Sequence, residues 1–196
     1  MVKRKDDEKE ILETQDEQPI QENVVQGLPR TTLEEVLQRD IIKLDLGGGD
    51  HSVEGYVNID IQYYPQVDLM LDISKLSEFF PLNSVDAIMC RDTLQCFTST
   101  KVRGVLRSWY KALKPRSRLV IQCYDVDAVV KAFQANEIDF ERFRSLMYGR
   151  QKNDFTNFHN CFNEKALVEL LTRSGFKVQE VSHPTMRIKI VAMKVK

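Results

Sequence analysis

The chain has 196 residues, 42% of them hydrophobic and 29% charged, with a formal net charge of -1. This is enough for one sizeable core, and the composition excludes collagen-like and wholly disordered chains. Near-neutral charge also excludes a global field that would draw in nucleic acid or an anionic membrane, so any such contact needs a local patch.

Residues 1–30 mix charged and amide residues with isolated apolar ones and too little buriable surface to offset ordering entropy, so a flexible tail is expected, of a kind able to dock a protein partner. Residues 31–196 are expected to form one domain. Thr32 and Glu35 have capping-box spacing and open a short helix whose Leu33, Val36 and Leu37 share a face. Ile41 to Leu46 reads as a buried parallel strand running into Gly47-Gly48-Gly49. Short apolar runs follow at Tyr56 to Ile61, Val67 to Ile73, Val85 to Cys90 and Leu119 to Cys123, with a helix over Lys101 to Leu113 before Pro115. Helices are expected at Val126 to Gln134, at Phe140 to Tyr148 and after the cap Asn163, ending at Ser174-Gly175. The last two runs, Phe176 to Val181 and Arg187 to Val195, are joined by too few residues for a helical crossover, so the final strand is expected antiparallel in an otherwise largely parallel sheet.

Cys90, Cys96, Cys123 and Cys161 show neither a CxxC pair nor zinc-site spacing and read as reduced, buried thiols; no metal site is expected. No apolar stretch approaches the roughly 18 to 20 residues that span a bilayer, and the N-terminal stretch is charged where a secretory signal is apolar. A soluble, cytoplasmic protein is expected. Arg103, Arg107, Lys111 and Lys114 read as a solvated helix face, and Arg187, Lys189, Lys194 and Lys196 as an exposed strand edge.

The chemistry concentrates at strand ends. In Leu44-Asp45-Leu46-Gly47-Gly48-Gly49-Asp50 a glycine turn at the C-terminal end of the first strand lets backbone approach a ligand, although a tight structural turn has the same residues. It is not a Walker A loop, since no Gly-Lys-Ser/Thr follows. Asp60 ends the next strand, where a carboxylate accepts both ribose hydroxyl protons, and Asp72 ends the third, where it can accept from an exocyclic amine. Two acids and a glycine turn on successive strand ends describe one crevice.

These residues, with "LDLGGGD", "GYVNIDI", "DLMLDIS", "NSVDAIMCRDTLQCF", "WYKALKPRSRLVI", "MYGRQ" and "HNCFNEKALVELLTRSGFKV" in order, resemble the class I S-adenosylmethionine-dependent methyltransferases, in their compact branch, over about Ile41 to Val181. The resemblance implies a three-layer α/β/α, Rossmann-like sandwich with a seven-stranded, mostly parallel sheet and an antiparallel last strand. It implies S-adenosyl-L-methionine as cofactor, with contacts at Asp45, Gly47, Gly48 and Gly49, at Asp60 and Ile61, at Asp72 and Ile73, and at Arg91. Arg91, Asp92 and Leu94 would then lie near the transferred methyl group, with the acceptor site in the Tyr124 to His159 region. Asp92 and His159 are the candidate general bases, His159 because an imidazole titrates near neutrality; a loop-bracing histidine and a helix-terminal aspartate are their structural alternatives.

The chain departs from those relatives at Leu94-Gln95-Cys96, where they commonly carry Leu-Glu-His, and at Pro115-Arg116-Ser117, where they commonly carry Pro-Gly-Gly. Two functional readings therefore stand side by side. One is a methyltransferase acting on an oxygen or nitrogen nucleophile of a small-molecule, sugar or macromolecular acceptor; the other is a cofactor-binding or scaffold protein that has lost transfer. A nicotinamide-dependent enzyme is disfavoured by the missing third glycine and the short stretch from Gly49 to Asp60.

Overall fold

The computed structural model describes residues 29–196, so the tail expected over 1–30 lies almost wholly outside the described residues. Seven strands form one sheet: β1 (Lys43–Leu46), β2 (Val57–Asp60), β3 (Leu69–Met70), β4 (Val85–Arg91), β5 (Leu113–Tyr124), β6 (Phe176–Ser182) and β7 (Arg187–Lys194). Among the described residues six α-helices accompany them: α1 (Leu33–Leu37), α2 (Leu76–Phe79), α3 (Val102–Ala112), α4 (Val126–Gln134), α5 (Phe140–Tyr148) and α6 (Glu164–Arg173).

The strand order is β3-β2-β1-β4-β5-β7-β6. Pairing is parallel through β5, and β7 runs antiparallel to both β5 and β6. From β1 the chain works outward to β3, then returns to β4 on the other side of β1 and works outward to β5. Right-handed crossovers in opposite directions lie on opposite faces, and a crevice opens where the direction reverses, between β1 and β4. The register brings that crevice to a single level: Leu46 lies beside both Ile59 and Cys90, and Cys90 beside Ile121. Gly47, Asp60, Arg91 and the end of β5 therefore leave the sheet together.

The core follows the apolar runs. Leu44, Leu46, Ile59, Ile88, Leu119 and Ile121 are fully buried in the sheet, and α3 seals one side with Val105, Leu106 and Trp109. The Trp109 indole N–H donates to the Ile73 carbonyl at 2.7 Å, so the largest core side chain has no unmet polar group.

Several expectations change in detail. Leu37 stands at the exposed end of α1, leaving Val36 as that helix's buried anchor. The third strand is two residues long, because Asp72 turns the chain into a 3-10 turn over Ile73–Lys75. β5 begins at once after α3, and Val85 pairs with Leu113 while Ala87 pairs with Arg118, so residues 114–117 bulge from the ladder. β7 is an inner strand, so its basic residues are no edge: Lys194 is buried, donating to Asn83 and to the Leu113 carbonyl at 2.8 Å each. Two of the four cysteines also escape the core, Cys161 being exposed and Cys96 half-buried.

Candidate functional site

At the end of β1 the chain turns with Gly47 at φ +72°. Its N–H donates to the Ile59 carbonyl at 2.7 Å, and a Cβ there would collide with Thr93, whose hydroxyl lies 3.0 Å from the Gly47 carbonyl. Gly48 packs against Asn58, and the Asn58 amide ties the turn down by donating to the Gly49 carbonyl at 3.0 Å. Gly49, at φ +56°, donates its N–H to Asp60 Oδ2 at 3.1 Å. Left-handed backbone at two of three positions, with no room for a side chain at Gly47, explains the glycine run physically.

Asp60 closes β2. Its Oδ1 accepts the Gln62 N–H at 2.9 Å and its Oδ2 accepts the Gly49 N–H at 3.1 Å, and the carboxylate lines the crevice. Burial pushes this carboxyl above the ordinary aspartate value, against the pull of the Gln62, Gly49 and Ile61 backbone N–H groups. Asp72 accepts from the Ser74 N–H and hydroxyl at 2.9 and 2.6 Å, both on Oδ1. Among the described residues no group donates to its Oδ2.

Gly47, Gly48, Gly49, Asp60, Asp72 and Arg91 open onto one cavity of about 620 Å³, shared with Ile61, Ile73, Asp92 and His159. Of the residues expected to touch a cofactor, only Asp45 stands back. It is fully buried on β1, and Arg91 reaches it with an Nη2–Oδ2 distance of 2.6 Å. Burial raises the Asp45 carboxyl although the Arg91 charge and hydrogen bond pull it down. The aspartate therefore aims the arginine at the cavity. Leu94 is likewise in the core and lines no part of the cavity.

Past β4 the cavity has a second half. Asp92, at φ +52°, faces Arg187 of β7, which donates through Nε and Nη2 to its carboxylate at 3.0 and 2.9 Å. The same Nη2 reaches the Tyr124 hydroxyl at 2.6 Å. The Asp92 carboxylate is thus engaged by two arginine N–H groups. Burial, with the charges of Asp60 and Asp92, raises the Cys96 thiol to about 11, so it is neutral at physiological pH. Gln95 is buried and structural: its side-chain oxygen accepts the Tyr124 N–H at 3.1 Å and its carbonyl accepts the His159 and Asn160 N–H groups. His159 is thus fixed by its backbone while its exposed imidazole faces the cavity without a partner among the described residues.

The segment from Gly149 to His159 spans the mouth. At its tip Asn153 and Gln62 exchange two side-chain amide hydrogen bonds, 3.0 and 3.2 Å long. The segment is thereby clasped to the β2 end of the crevice and anchored by Gln95 at the β4 end.

Thr93, Gln95, Arg187 and Gln62 complete the site and were not among the sequence candidates, whereas Tyr124 and Asn153 fall in the Tyr124 to His159 region expected to hold the acceptor. Tyr124 had a readable signal, since it ends a strand on the side where the glycine turn lies. Arg187 had none, because its pairing with Asp92 depends on β7 entering the sheet beside β5.

No protein-family model matches the chain, and no curated protein matches it by sequence. Solved structures match by shape. A SAM-dependent methyltransferase from Methanosarcina mazei is 21% identical, with a TM-score of 0.56 over 83% of this chain and 96% of that one. The 1,6-didemethyltoxoflavin-N1-methyltransferase of Burkholderia thailandensis, solved with 1,6-didemethyltoxoflavin and S-adenosylhomocysteine, is 18% identical, with a TM-score of 0.56 over 84% of this chain and 75% of that one. A putative S-adenosylmethionine-dependent methyltransferase from Listeria monocytogenes is 15% identical, with a TM-score of 0.54 over 84% and 96%. Together with the strand order and the antiparallel β7, these likenesses establish that the chain has the fold of the class I S-adenosylmethionine-dependent methyltransferases.

Proposed function

We propose that this protein binds S-adenosylmethionine and transfers its methyl group to an oxygen or nitrogen nucleophile of an acceptor. The observation that carries the reading is one cavity at the β1/β4 reversal onto which Gly47, Asp60 and Asp72 all open. The residues fit the cofactor. Gly47 and Gly49 leave backbone without side chains, Asp60 offers a carboxylate at the strand end to a ribose diol, and Asp72 keeps Oδ2 for the adenine side. Arg91, aimed by Asp45, and the exposed Arg150 are available to the methionine carboxylate. Bound there, the cofactor supplies an electrophilic methyl group on a sulfonium, so the chain's own work is to orient the acceptor, exclude water and hold a proton. His159 is the group left to hold it, since Asp92 is engaged by Arg187.

The solved neighbours include an N1-methyltransferase, a carbon methyltransferase and an O-methyltransferase family protein, so the fold does not fix the target atom. A second reading, binding without transfer, is favoured by the Asp92–Arg187 pair and the neutral Cys96 thiol, which leave a single candidate base. Incubation with methyl-labelled cofactor and cell extract tests the choice. Label appearing in a product with wild-type protein and not with the Asp60→Asn variant supports transfer; saturable cofactor binding with no labelled product selects the second reading.

A further inference from the structure

The loop from Gly149 to Asn157 has one firm end and one weak one. At its base Gly149 and Asn157 pair as an antiparallel bridge, and the Phe158 N–H donates to the Tyr148 carbonyl at 3.0 Å. Gly149 is buried at φ +78°, and a Cβ there would strike the Thr156 carbonyl, so the reversal depends on the missing side chain. Residues 150–155 are all exposed and bury no apolar anchor. Asn153 folds the tip on itself, its Oδ1 accepting the Phe155 and Thr156 N–H groups at 3.1 and 3.2 Å. Among the described residues, the two amide bonds with Gln62 are the hydrogen bonds that tie this tip to the rest of the fold. A segment held by exposed polar side chains opens locally far more readily than the sheet it covers.

Gln62 stands at a telling place. Its backbone N–H donates to Asp60 Oδ1 at 2.9 Å, so the contact that holds the tip sits on the turn that fixes the proposed ribose carboxylate. Asp154, Phe155 and Thr156 of the tip line the same cavity as Gly47 and Asp60. Arg150, beside the hinge glycine, is close to Tyr64: burial and the Asp60 and Asp50 charges raise the Tyr64 hydroxyl, and the Arg150 charge lowers it. The loop therefore closes the Asp60 end of the cavity.

We infer that residues 151–156 are a gate on that end and that the Gln62–Asn153 exchange is its latch: an adenosyl ligand enters and leaves while the latch is broken, and the latch re-forms over it. The inference rests on the proposed function for the identity of the ligand. Because the latch joins two protein side chains with the cavity empty or filled, it slows entry and exit by the same factor and shifts the affinity little. A side chain that gripped the ligand would slow exit alone.

Surface plasmon resonance with the full chain immobilised and S-adenosylhomocysteine as analyte reads both rates. Gln62→Ala removes the latch while keeping the backbone N–H on Asp60 and the Asn153 bonds within the tip. In that variant association and dissociation should each quicken by about tenfold, the scale of two exposed amide hydrogen bonds, with a dissociation constant within about twofold of wild type. Asn153→Ala should move both rates in the same direction. Rates unchanged in both variants, or faster dissociation with association unchanged, would overturn the gate and leave cofactor binding standing. A wild-type chain that binds no S-adenosylhomocysteine would overturn the proposed function and the gate with it.

Discussion

Asp60 sits under two opposed demands. Burial raises its carboxyl, and three backbone N–H groups hold it down; a ribose diol needs it ionised. Cofactor affinity should therefore weaken as pH falls through the raised Asp60 value, starting at a higher pH than a free aspartate would give. The sign for folding is opposite. A carboxyl raised in the folded state binds its proton more readily there than in the unfolded chain, so its contribution to stability grows as pH falls through the same window. Asp60→Asn should cost about a hundredfold in affinity, the scale of two hydrogen bonds to a charged group, and flatten the acid limb. Binding isotherms of both proteins at a series of pH values check this. At this scale the sequence put the glycine turn, Asp60 and Asp72 on one crevice, because strand ends and turn chemistry are local. It hid the roles of Asp92 and Arg187, which lie 95 residues apart and meet only across the sheet. Asp45 was misread for a related reason: its burial behind Arg91 is a matter of which side of β1 it occupies.

Two elements carry expectations of their own. The bulge at residues 114–117 places Arg116 at φ +64°, a conformation that glycine adopts freely and a side chain resists. Arg116→Gly should stabilise the protein by about 1 kcal/mol, raising the thermal midpoint by roughly 2–4 °C. The departure from a Pro-Gly-Gly turn thus puts a side chain at a left-handed position, in a bulge that interrupts β5. The segment over the cavity mouth depends on the Gln62–Asn153 exchange, and its other end on Gln95. Asn153→Ala should speed hydrogen exchange at Gln151 to Asn157 by about tenfold and leave the His159 amide unchanged. Uniform acceleration across both ends would show that the clasp is not a separate unit. The span of α5 was legible, and α6 was legible from its capping Asn163, whereas β3 was overestimated because its apolar run continues past the Asp72 cap.

For the whole molecule, alternating apolar runs and short connections sufficed for a mostly parallel sheet with an antiparallel final strand, since both follow from connection length and handedness. The spatial order of β7 between β5 and β6 did not follow from any run in the sequence. That order is what buries Lys194 and brings Arg187 to Asp92, and it converts an apparent basic edge into part of the site. Among the described residues no helix is long and apolar enough to cross a membrane.

Titration of the wild-type chain and Asp60→Asn with S-adenosylmethionine is the most direct measurement of the central claim. The account requires saturable binding at one site in the wild type and its loss, or a fall of about a hundredfold, in the variant with the fold intact. A folded wild-type chain that takes up no S-adenosylmethionine, or equal affinity in the two proteins, would contradict it.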